Sequence, residues 1–205
     1  MRPDKILFID TETGGVNPQE HSLLSIAMVV WKENTIVDAV EVLINEQWGV
    51  STPEALAINK IKLSEHYKMA DLPHIAISKM DVFLNKHYSP NEKITLAGHN
   101  INFDINFIMR FLLNHSYNYN DRFSYRSIDT ATILYYLYLA GRIKQRTLSS
   151  QEAFDLFGIK NIDRHTALGD ARATANLFTV LLKIITKTVR SKENSDIKFK
   201  TLFDL

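Results

Sequence analysis

Two carboxylates follow directly on a short apolar run near the amino terminus. Residues 6–9 are four consecutive apolar residues, typical of a strand buried on both faces, and Asp10 and Glu12 come next. Residues two apart in a strand point to the same side, so the sequence predicts that both carboxylates share one face. Unit charges about 4 Å apart repel by roughly 4 kcal/mol at an effective dielectric near 20. A cation between them would turn that cost into a binding site, whereas an acidic strand end dissolved in water is the alternative.

Two helical patterns each place a further aspartate at the head of an apolar face. In residues 104–113, Asp104, Ile108 and Phe111 lie at i, i+4 and i+7, which is the spacing of one helical face. A charge on a core-facing stripe must be paired or bound to metal. Oxygen ligands without cysteine or clustered histidine favour Mg²⁺ or Mn²⁺ over zinc. The second such face comprises Asp170, Ala173, Thr174, Leu177, Leu181 and Ile184.

Three motifs follow one another along the chain: residues 10–14 (DTETG), Gly98-His99-Asn100 with Phe103-Asp104, and His165 with Ala167 and Asp170. They resemble the motifs of the DEDDh 3'-to-5' exonucleases, the DnaQ-like family typified by the proofreading epsilon subunit of bacterial DNA polymerase III. The resemblance covers most of the chain, and three motifs in the right order are far more specific than any one of them. One departure is Ser25, which stands where many relatives carry a glutamate.

The resemblance implies a two-metal phosphodiesterase. Asp10, Glu12 and Asp170 would hold the cation nearer the nucleophile, Asp10 would share a second one, and Asp104 would contribute through bound water. Two Mg²⁺ or Mn²⁺ ions about 3.5–4 Å apart suit in-line phosphoryl transfer, one activating water and the other steadying the departing oxygen. His165 is the expected general base, because an imidazole with a pKa near 6.5 accepts a proton at neutral pH. Spacing alone leaves a structural role for this histidine equally open.

Residues beside the motifs are candidate substrate contacts. The two threonines alternate away from the acids, so their backbone amides are expected to make contact rather than their hydroxyls. Phe103 could stack on a base or belong to the core, and Asn100 suits a turn as well as a ligand. The predicted contacts are Thr11, Thr13, Gly14, His99, Asn100 and Phe103.

The order of apolar patterns predicts an α/β fold, the ribonuclease H-like architecture that the resemblance also implies. Three apolar segments with short connections indicate an antiparallel meander, and later strands alternating with helices indicate parallel strands in the same mixed β-sheet, flanked by helices. Predicted strands cover residues 5–11, 23–31, 35–45, 94–97 and 125–128, and predicted helices cover 72–87, 104–113 and 130–140, with others beginning at residue 52, near Ser149 and before Asp170.

Local signals set several helix ends. Pro53 has a favoured position in the first turn of a helix, and Ser149 with Glu152 forms a possible capping box for a helix that Gly158 ends. Asp129 is expected to cap the following helix rather than to join the acidic cluster. The apolar face of helix 72–87 is predicted to consist of Ile75, Met80, Phe83 and Leu84.

Composition is that of an ordinary globular domain, with 45% hydrophobic residues, 23% charged residues and a formal net charge of +1. We expect an exonuclease domain at residues 1–188 and a charged tail at 189–205. No apolar run is long enough to cross a bilayer, and residues 1–4 lack the apolar core of a signal peptide. The chain has no cysteine, which fits a reducing compartment, so a cytoplasmic protein with no membrane contact is expected.

Basic residues cluster in two parts of the chain. They could steer a phosphate backbone, although a solvated face is the default interpretation. The apolar tip at residues 200–205 is a hypothetical docking element. The basic residues are Arg142, Lys144, Arg146, Lys183, Lys187, Arg190, Lys192, Lys198 and Lys200.

The predicted function is removal of nucleotides from the 3' end of single-stranded or frayed nucleic acid, with release of 5'-monophosphates. DNA is the favoured substrate, in proofreading or repair-like trimming, and a polymerase or another replication or repair protein is a possible partner. An exoribonuclease that trims RNA ends is the alternative. A non-catalytic binding module would lack some of the acids, and all of them are present.

Overall fold

A computed structural model of the chain describes residues 5–46, 49–161, 163 and 165–193, with side chains described as far as residue 186. The predicted tip at 200–205 and the basic side chains beyond Lys183 lie outside this description, as do residues 1–4. The strands are β1 (Lys5–Thr13), β2 (Leu23–Lys32), β3 (Thr35–Leu43), β4 (Ile94–Gly98) and β5 (Phe123–Asp129). The helices are α1 (Pro53–Asn59), α2 (Leu63–Met69), α3 (Pro73–His87), α4 (Asn102–Asn114), α5 (Tyr119–Arg122), α6 (Thr130–Leu139), α7 (Ser150–Phe157) and α8 (Ala167–Glu193).

The strands form one mixed sheet in the order β3-β2-β1-β4-β5. Strands β1, β2 and β3 are antiparallel neighbours, whereas β4 pairs in parallel with both β1 and β5. The predicted meander followed by parallel strands is confirmed. Strand β1 is thus the centre of the sheet, and parallel strands β4 and β5 end at the same edge as β1.

The β2–β3 connection is a two-residue hairpin turn. Glu33 has a φ of 52° and Asn34 a φ of 69°. Positive φ at both central residues is the requirement of a type I′ turn, whose twist matches that of the flanking strands. The short connection expected between these two strands is confirmed, and the turn fixes the pairing register of β2 and β3.

Alternate residues of β1 enter two separate cores. Leu7 and Ile9 pack against α3 and α4 on one face of the sheet, and Ile6 and Phe8 pack against α8 on the other. All four are buried, which confirms the strand buried on both faces. Asp10 continues the series that faces α8.

Some elements differ from the predictions. Helices α2 and α5 were not predicted, because each is only one or two turns long and has no apolar period of its own. Strand β3 ends at Leu43 rather than at residue 45, and Ile75 is 39% exposed rather than part of the buried face. Two caps are as predicted: the Asp129 side chain accepts a hydrogen bond from the Ala131 backbone N–H, and Gly158 ends α7 in the left-handed conformation. The Ser149 hydroxyl caps α7 as well, but the Glu152 side chain accepts from the Leu148 N–H instead of completing the capping box.

Helix α8 continues through Glu193, past the predicted domain boundary at residue 188. The rest of the predicted tail, residues 194–205, lies outside the described part of the chain. Among the helices that the structure describes, none combines the length and apolarity needed to cross a bilayer.

Candidate active site

Three acids meet where β1 reaches the first turn of α8. Asp10 and Glu12 share the α8 face of the sheet, and Asp170 lies in the first turn of that helix. One carboxylate oxygen from each of the three lies within 4.8 Å of the other two. The structure therefore brings together residues that are about 160 positions apart in the sequence.

Burial and then mutual repulsion control the electrostatics of this cluster. The pKa of Glu12 is raised to about 8, first by burial and then by the charges of Asp170, Glu41 and Asp104. Burial also raises the pKa of Asp10 well above its ordinary value, and neighbouring carboxylates raise it further. An uncompensated set of buried acids is costly to ionise, so the ionised cluster calls for a cation.

Asp104 stands apart from the other three acids. It is 4% exposed at the start of α4, on the opposite face of the sheet, and its Oδ1 accepts a 2.7 Å hydrogen bond from the Thr11 hydroxyl. Burial raises its pKa to about 7, and its charge in turn raises the pKa of Asp10. The Thr11 hydroxyl thus orients an acid of the site, and the expected contact of the threonine backbone amides with substrate stays a prediction.

The turn of the second motif is held by hydrogen bonds within the protein. The Thr130 hydroxyl donates its proton to the Gly98 carbonyl at 3.0 Å. His99 Nδ1 lies 3.0 Å from the Thr130 hydroxyl oxygen and must therefore donate to that oxygen. Burial lowers the pKa of His99, which keeps the ring neutral. Asn100 has a φ of 58°, and its backbone N–H donates to Asp129 Oδ1 at 2.9 Å.

His165 lies in the loop before α8, in the wall of a cavity of about 300 Å³ that Glu12 also lines. We call this space the histidine-side cavity. Its other walls come from Ser25 and Glu41 of β2 and β3 and from the segment that joins α1 to α2. His165 is partly exposed and has a φ of 65°, so it is accessible from this cavity. The predicted general base and one acid of the cluster, Glu12, therefore line the same cavity.

A second cavity, of about 390 Å³, opens on the other side of Glu12. We call it the phenylalanine-side cavity. Val16, Ile58 and Phe103 give it an apolar lining, and Glu54 stands at its wall. Phe103 is 38% exposed with its ring centroid 5.0 Å from that of Phe107, so it belongs to the cavity rather than to the core.

Thr13 and Gly14, which follow Glu12 at the end of β1, form hydrogen bonds with neighbouring segments of the chain. A Cβ atom on Gly14 would lie 2.5 Å from the Val50 carbonyl oxygen, so a close backbone approach requires glycine here. Its N–H donates to Ser22 O and its carbonyl accepts from Thr52 N, while the Thr13 hydroxyl donates to Gly15 O. Both backbone groups of Gly14 form hydrogen bonds within the protein, and its predicted contact with substrate stays a prediction.

Sequence reasoning missed two polar residues of the site. Glu41 of β3 accepts a 3.1 Å hydrogen bond from the Ser25 hydroxyl, and burial raises the pKa of this carboxyl. Asn161 donates from its Nδ2 to Asp170 Oδ1. The serine at position 25, where many relatives carry a glutamate, could have pointed to Glu41, because the neighbouring strand β3 supplies a carboxylate beside that position. Asn161, in a loop, gave no signal.

The residues present fit a divalent cation. The three gathered donors are all carboxylates, which hard cations prefer, and no cationic side chain contributes to the pKa of Asp10 or Glu12 among the described residues. The fold and this cluster together define a class, the nucleases built on a ribonuclease H-like sheet.

The chain belongs to the exonuclease family RNase_T, whose family model matches residues 7–178. It is similar to the 3'-5' DNA exonuclease Cap18 of Escherichia coli, with 26% identity over 91% of this chain and 97% of that protein. It is also similar to ribonuclease T of Wigglesworthia glossinidia brevipalpis, with 29% identity over 83% of this chain and 80% of that protein.

Solved structures show the same fold. A crystal structure of E. coli exonuclease I in complex with a dT13 oligonucleotide matches with a TM-score of 0.77 at 13% identity, over 92% of this chain. The match spans 43% of the exonuclease I chain. The predicted family and fold are therefore confirmed.

Proposed function

We propose that this protein is a metal-dependent 3'-to-5' exonuclease that hydrolyses the terminal phosphodiester bond of single-stranded or frayed DNA and releases nucleoside 5'-monophosphates. The observation that carries the proposal is the gathering of Asp10, Glu12 and Asp170 within 4.8 Å. Membership of the exonuclease family makes phosphodiester hydrolysis the reaction that such a cluster would serve.

The phenylalanine-side cavity would receive the terminal base, and the histidine-side cavity would hold the attacking water. The apolar lining of the phenylalanine-side cavity suits the terminal base, which Phe103 would stack on. The phosphate then lies at the acids, where Mg²⁺ or Mn²⁺ held by Asp10, Glu12, Asp170 and Asp104 would neutralise charge and lower the pKa of water. His165 takes a proton from the attacking water as the new P–O bond forms. The bond to the 3' oxygen of the penultimate nucleotide breaks, and that oxygen gains a proton.

DNA is favoured as substrate because the similarity to the DNA exonuclease Cap18 extends over nearly all of both proteins. The similarity to ribonuclease T favours a second candidate, an exoribonuclease, at a comparable identity of 29%. Because this chain is similar to relatives of both kinds, discrimination would depend on how the site treats the 2'-hydroxyl of the terminal sugar.

One experiment separates these candidates. Purified protein is incubated with 5'-labelled single-stranded DNA and RNA of the same sequence, with Mg²⁺, Mn²⁺ or chelator. We expect a ladder shortened from the 3' end, faster on DNA, and no cleavage with chelator. Faster shortening of RNA would favour the exoribonuclease, and cleavage that persists in chelator would overturn metal dependence.

A polymerase or another replication or repair protein remains a proposed partner. The support is a similarity to the PolC-type DNA polymerase III of Caldanaerobacter subterraneus subsp. tengcongensis, at 26% identity over 87% of this chain and 12% of that protein. The matched region is thus a small part of a much longer polymerase. Co-purification from the native host, followed by addition of the captured polymerase to the cleavage assay, tests whether such a partner exists and changes the rate.

A further inference from the structure

Two lysines lie in the wall of the histidine-side cavity, beside the acids. Lys60 and Lys62 both belong to the segment between α1 and α2, and the cavity they line is also lined by Glu12 and His165. Lys62 forms an ion pair with Glu65, with 3.4 Å between Nζ and Oε1. Lys60 forms no ion pair with any residue that the structure describes, so its ammonium is available to an anion in the cavity.

The backbone of Lys60 is in a conformation that side chains rarely adopt. It ends α1 with φ 58° and ψ 22°, the left-handed region that favours glycine. Two other helix ends use glycine in this conformation, Gly141 after α6 and Gly158 after α7, whereas Ser116 after α4 is, like Lys60, a residue with a side chain. A lysine in the same conformation costs stability, and strained residues of this kind cluster at functional sites.

Asn59 fixes this helix end against the strand of the acids. The Asn59 side chain is buried, its Nδ2 donates to the Thr13 carbonyl at 3.1 Å, and its Oδ1 accepts from the Ile61 backbone N–H at 3.0 Å. These two bonds bracket Lys60. Because Thr13 follows Glu12 directly, the position of Lys60 is coupled to that of the acid cluster.

The stereochemistry of the reaction indicates what an ammonium here would contact. In an in-line displacement the leaving oxygen departs on the side opposite the attacking water, and the phosphorus moves towards the water as it inverts. Since His165 takes the proton of that water, the water side of the phosphate faces the histidine-side cavity. The monophosphate formed there carries one more negative charge than the diester.

We propose that Lys60 is a further substrate-binding residue, whose ammonium holds the non-bridging oxygens of the terminal phosphate as it inverts and retains the nucleoside 5'-monophosphate product. This inference rests on the proposed function. It adds a phosphate-binding cation to a site whose predicted members near the metal are acids and one histidine.

The test compares the binding of thymidine 5'-monophosphate and of thymidine to the Mn²⁺-loaded full-length protein by calorimetry. Lys60→Met removes the charge and keeps the backbone conformation unfavourable, and we expect monophosphate affinity to fall about tenfold while thymidine affinity changes less than twofold. Lys60→Gly should lose the same affinity yet melt about 2 °C higher, because glycine relieves the strain.

Two matched variants serve as controls. Lys62→Met removes the paired lysine of the same cavity and should change monophosphate affinity less than threefold. Ser116→Gly relieves a remote left-handed residue with a φ of 63° and should raise the melting temperature without changing binding. Monophosphate affinity within twofold of wild type in both Lys60 variants would overturn the proposal, as would an equal loss of thymidine binding. If the wild type still cleaves DNA in that case, only the Lys60 inference fails; a wild type without metal-dependent cleavage refutes both.

Discussion

Glu46 is a fully buried carboxylate and Asp10 a half-buried one, and their surroundings are opposite. Glu46 is fully buried and is held by the Arg110 guanidinium, with Arg110 NH2 3.0 Å from Oε2, and by the Leu23 backbone N–H at 2.6 Å. The same guanidinium donates to the His21 carbonyl at 2.9 Å. Around Asp10, every charge that shifts its pKa is another carboxylate.

The presence or absence of a neighbouring cation distinguishes a structural carboxylate, Glu46, from a carboxylate of the candidate site, Asp10. At Glu46 the protein supplies the cation and all the hydrogen bonds, and the pair fastens α4 to the segments on either side of β2 and β3. At Asp10 the protein assembles acids and supplies no described cation, so the stable ionised state requires something from solution. A buried acid thus marks a site when its countercharge is missing.

Replacing Asp170 by asparagine should have the largest effect. The change keeps an Oδ1 acceptor for Asn161 and removes one negative charge beside Asp10 and Glu12. We expect at least a thousandfold loss of the cleavage rate, since the change would remove a carboxylate that the proposal assigns to the metal, and with it cationic charge that would stabilise the transition state. The metal-free variant should melt at a higher temperature than the metal-free wild type. A lower melting temperature would mean that the cluster is not repulsive.

Replacing His165 by alanine tests the proton-transfer role at the acid cluster while leaving its carboxylates unchanged. His165→Ala should lower the turnover number by about a hundred- to ten-thousandfold, the usual contribution of a general base. The Mn²⁺ concentration at half-maximal activity should change less than threefold, because the carboxylates are intact. Titrating both proteins with Mn²⁺ in the cleavage assay gives both values, and an unchanged turnover number would assign the base to another group.

Breaking the ion pair between Glu46 and Arg110 should lower the stability of the fold rather than the rate of cleavage. Arg110→Met leaves Glu46 buried without its cation and should lower the free energy of unfolding by about 3–5 kcal/mol, measured by urea denaturation with metal present. The double variant Glu46→Leu/Arg110→Met removes both charges and should recover much of that loss. A single variant as stable as wild type would show that Glu46 is not a structural partner.

The smallest effect, a shift of the melting temperature with pH, follows from the raised pKa values. Glu12 titrates near pH 8 and Asp104 near pH 7 in the folded state, against ordinary values of 4.5 and 3.8. The folded state therefore binds these protons more tightly, and the stability that they confer is present at pH 4 and is lost as pH rises towards 8.

The metal-free protein should thus melt several degrees lower at pH 8 than at pH 5, and Mn²⁺ should raise the melting temperature more at pH 8. Differential scanning fluorimetry with chelator or Mn²⁺ at each pH gives the comparison, and Glu12→Gln should flatten the metal-free slope. Parallel curves with and without Mn²⁺ would contradict a carboxylate cation site.

Much of the site was predictable because periodicity is local. The apolar run before Asp10 and the helical stripes below Asp104 and Asp170 each placed an acid on a buried surface. The paired Glu46 escaped detection, because it follows a strand whose polar residues read as solvent-facing. Nothing in the sequence distinguishes a buried, paired acid at a strand end from an exposed one.

By itself, then, the sequence determined the elements, the family motifs and the acids that those elements carry. The reason is that the periods of 2.0 residues in a strand and 3.6 residues in a helix can be recognised within a short stretch of sequence. Only the tertiary structure decided which acids meet. It set Asp104 behind Thr11, placed Glu41 beside Ser25, and left Lys60 facing the cavity of His165. Those outcomes depend on strand register and helix packing between residues distant in the chain, which no local pattern specifies.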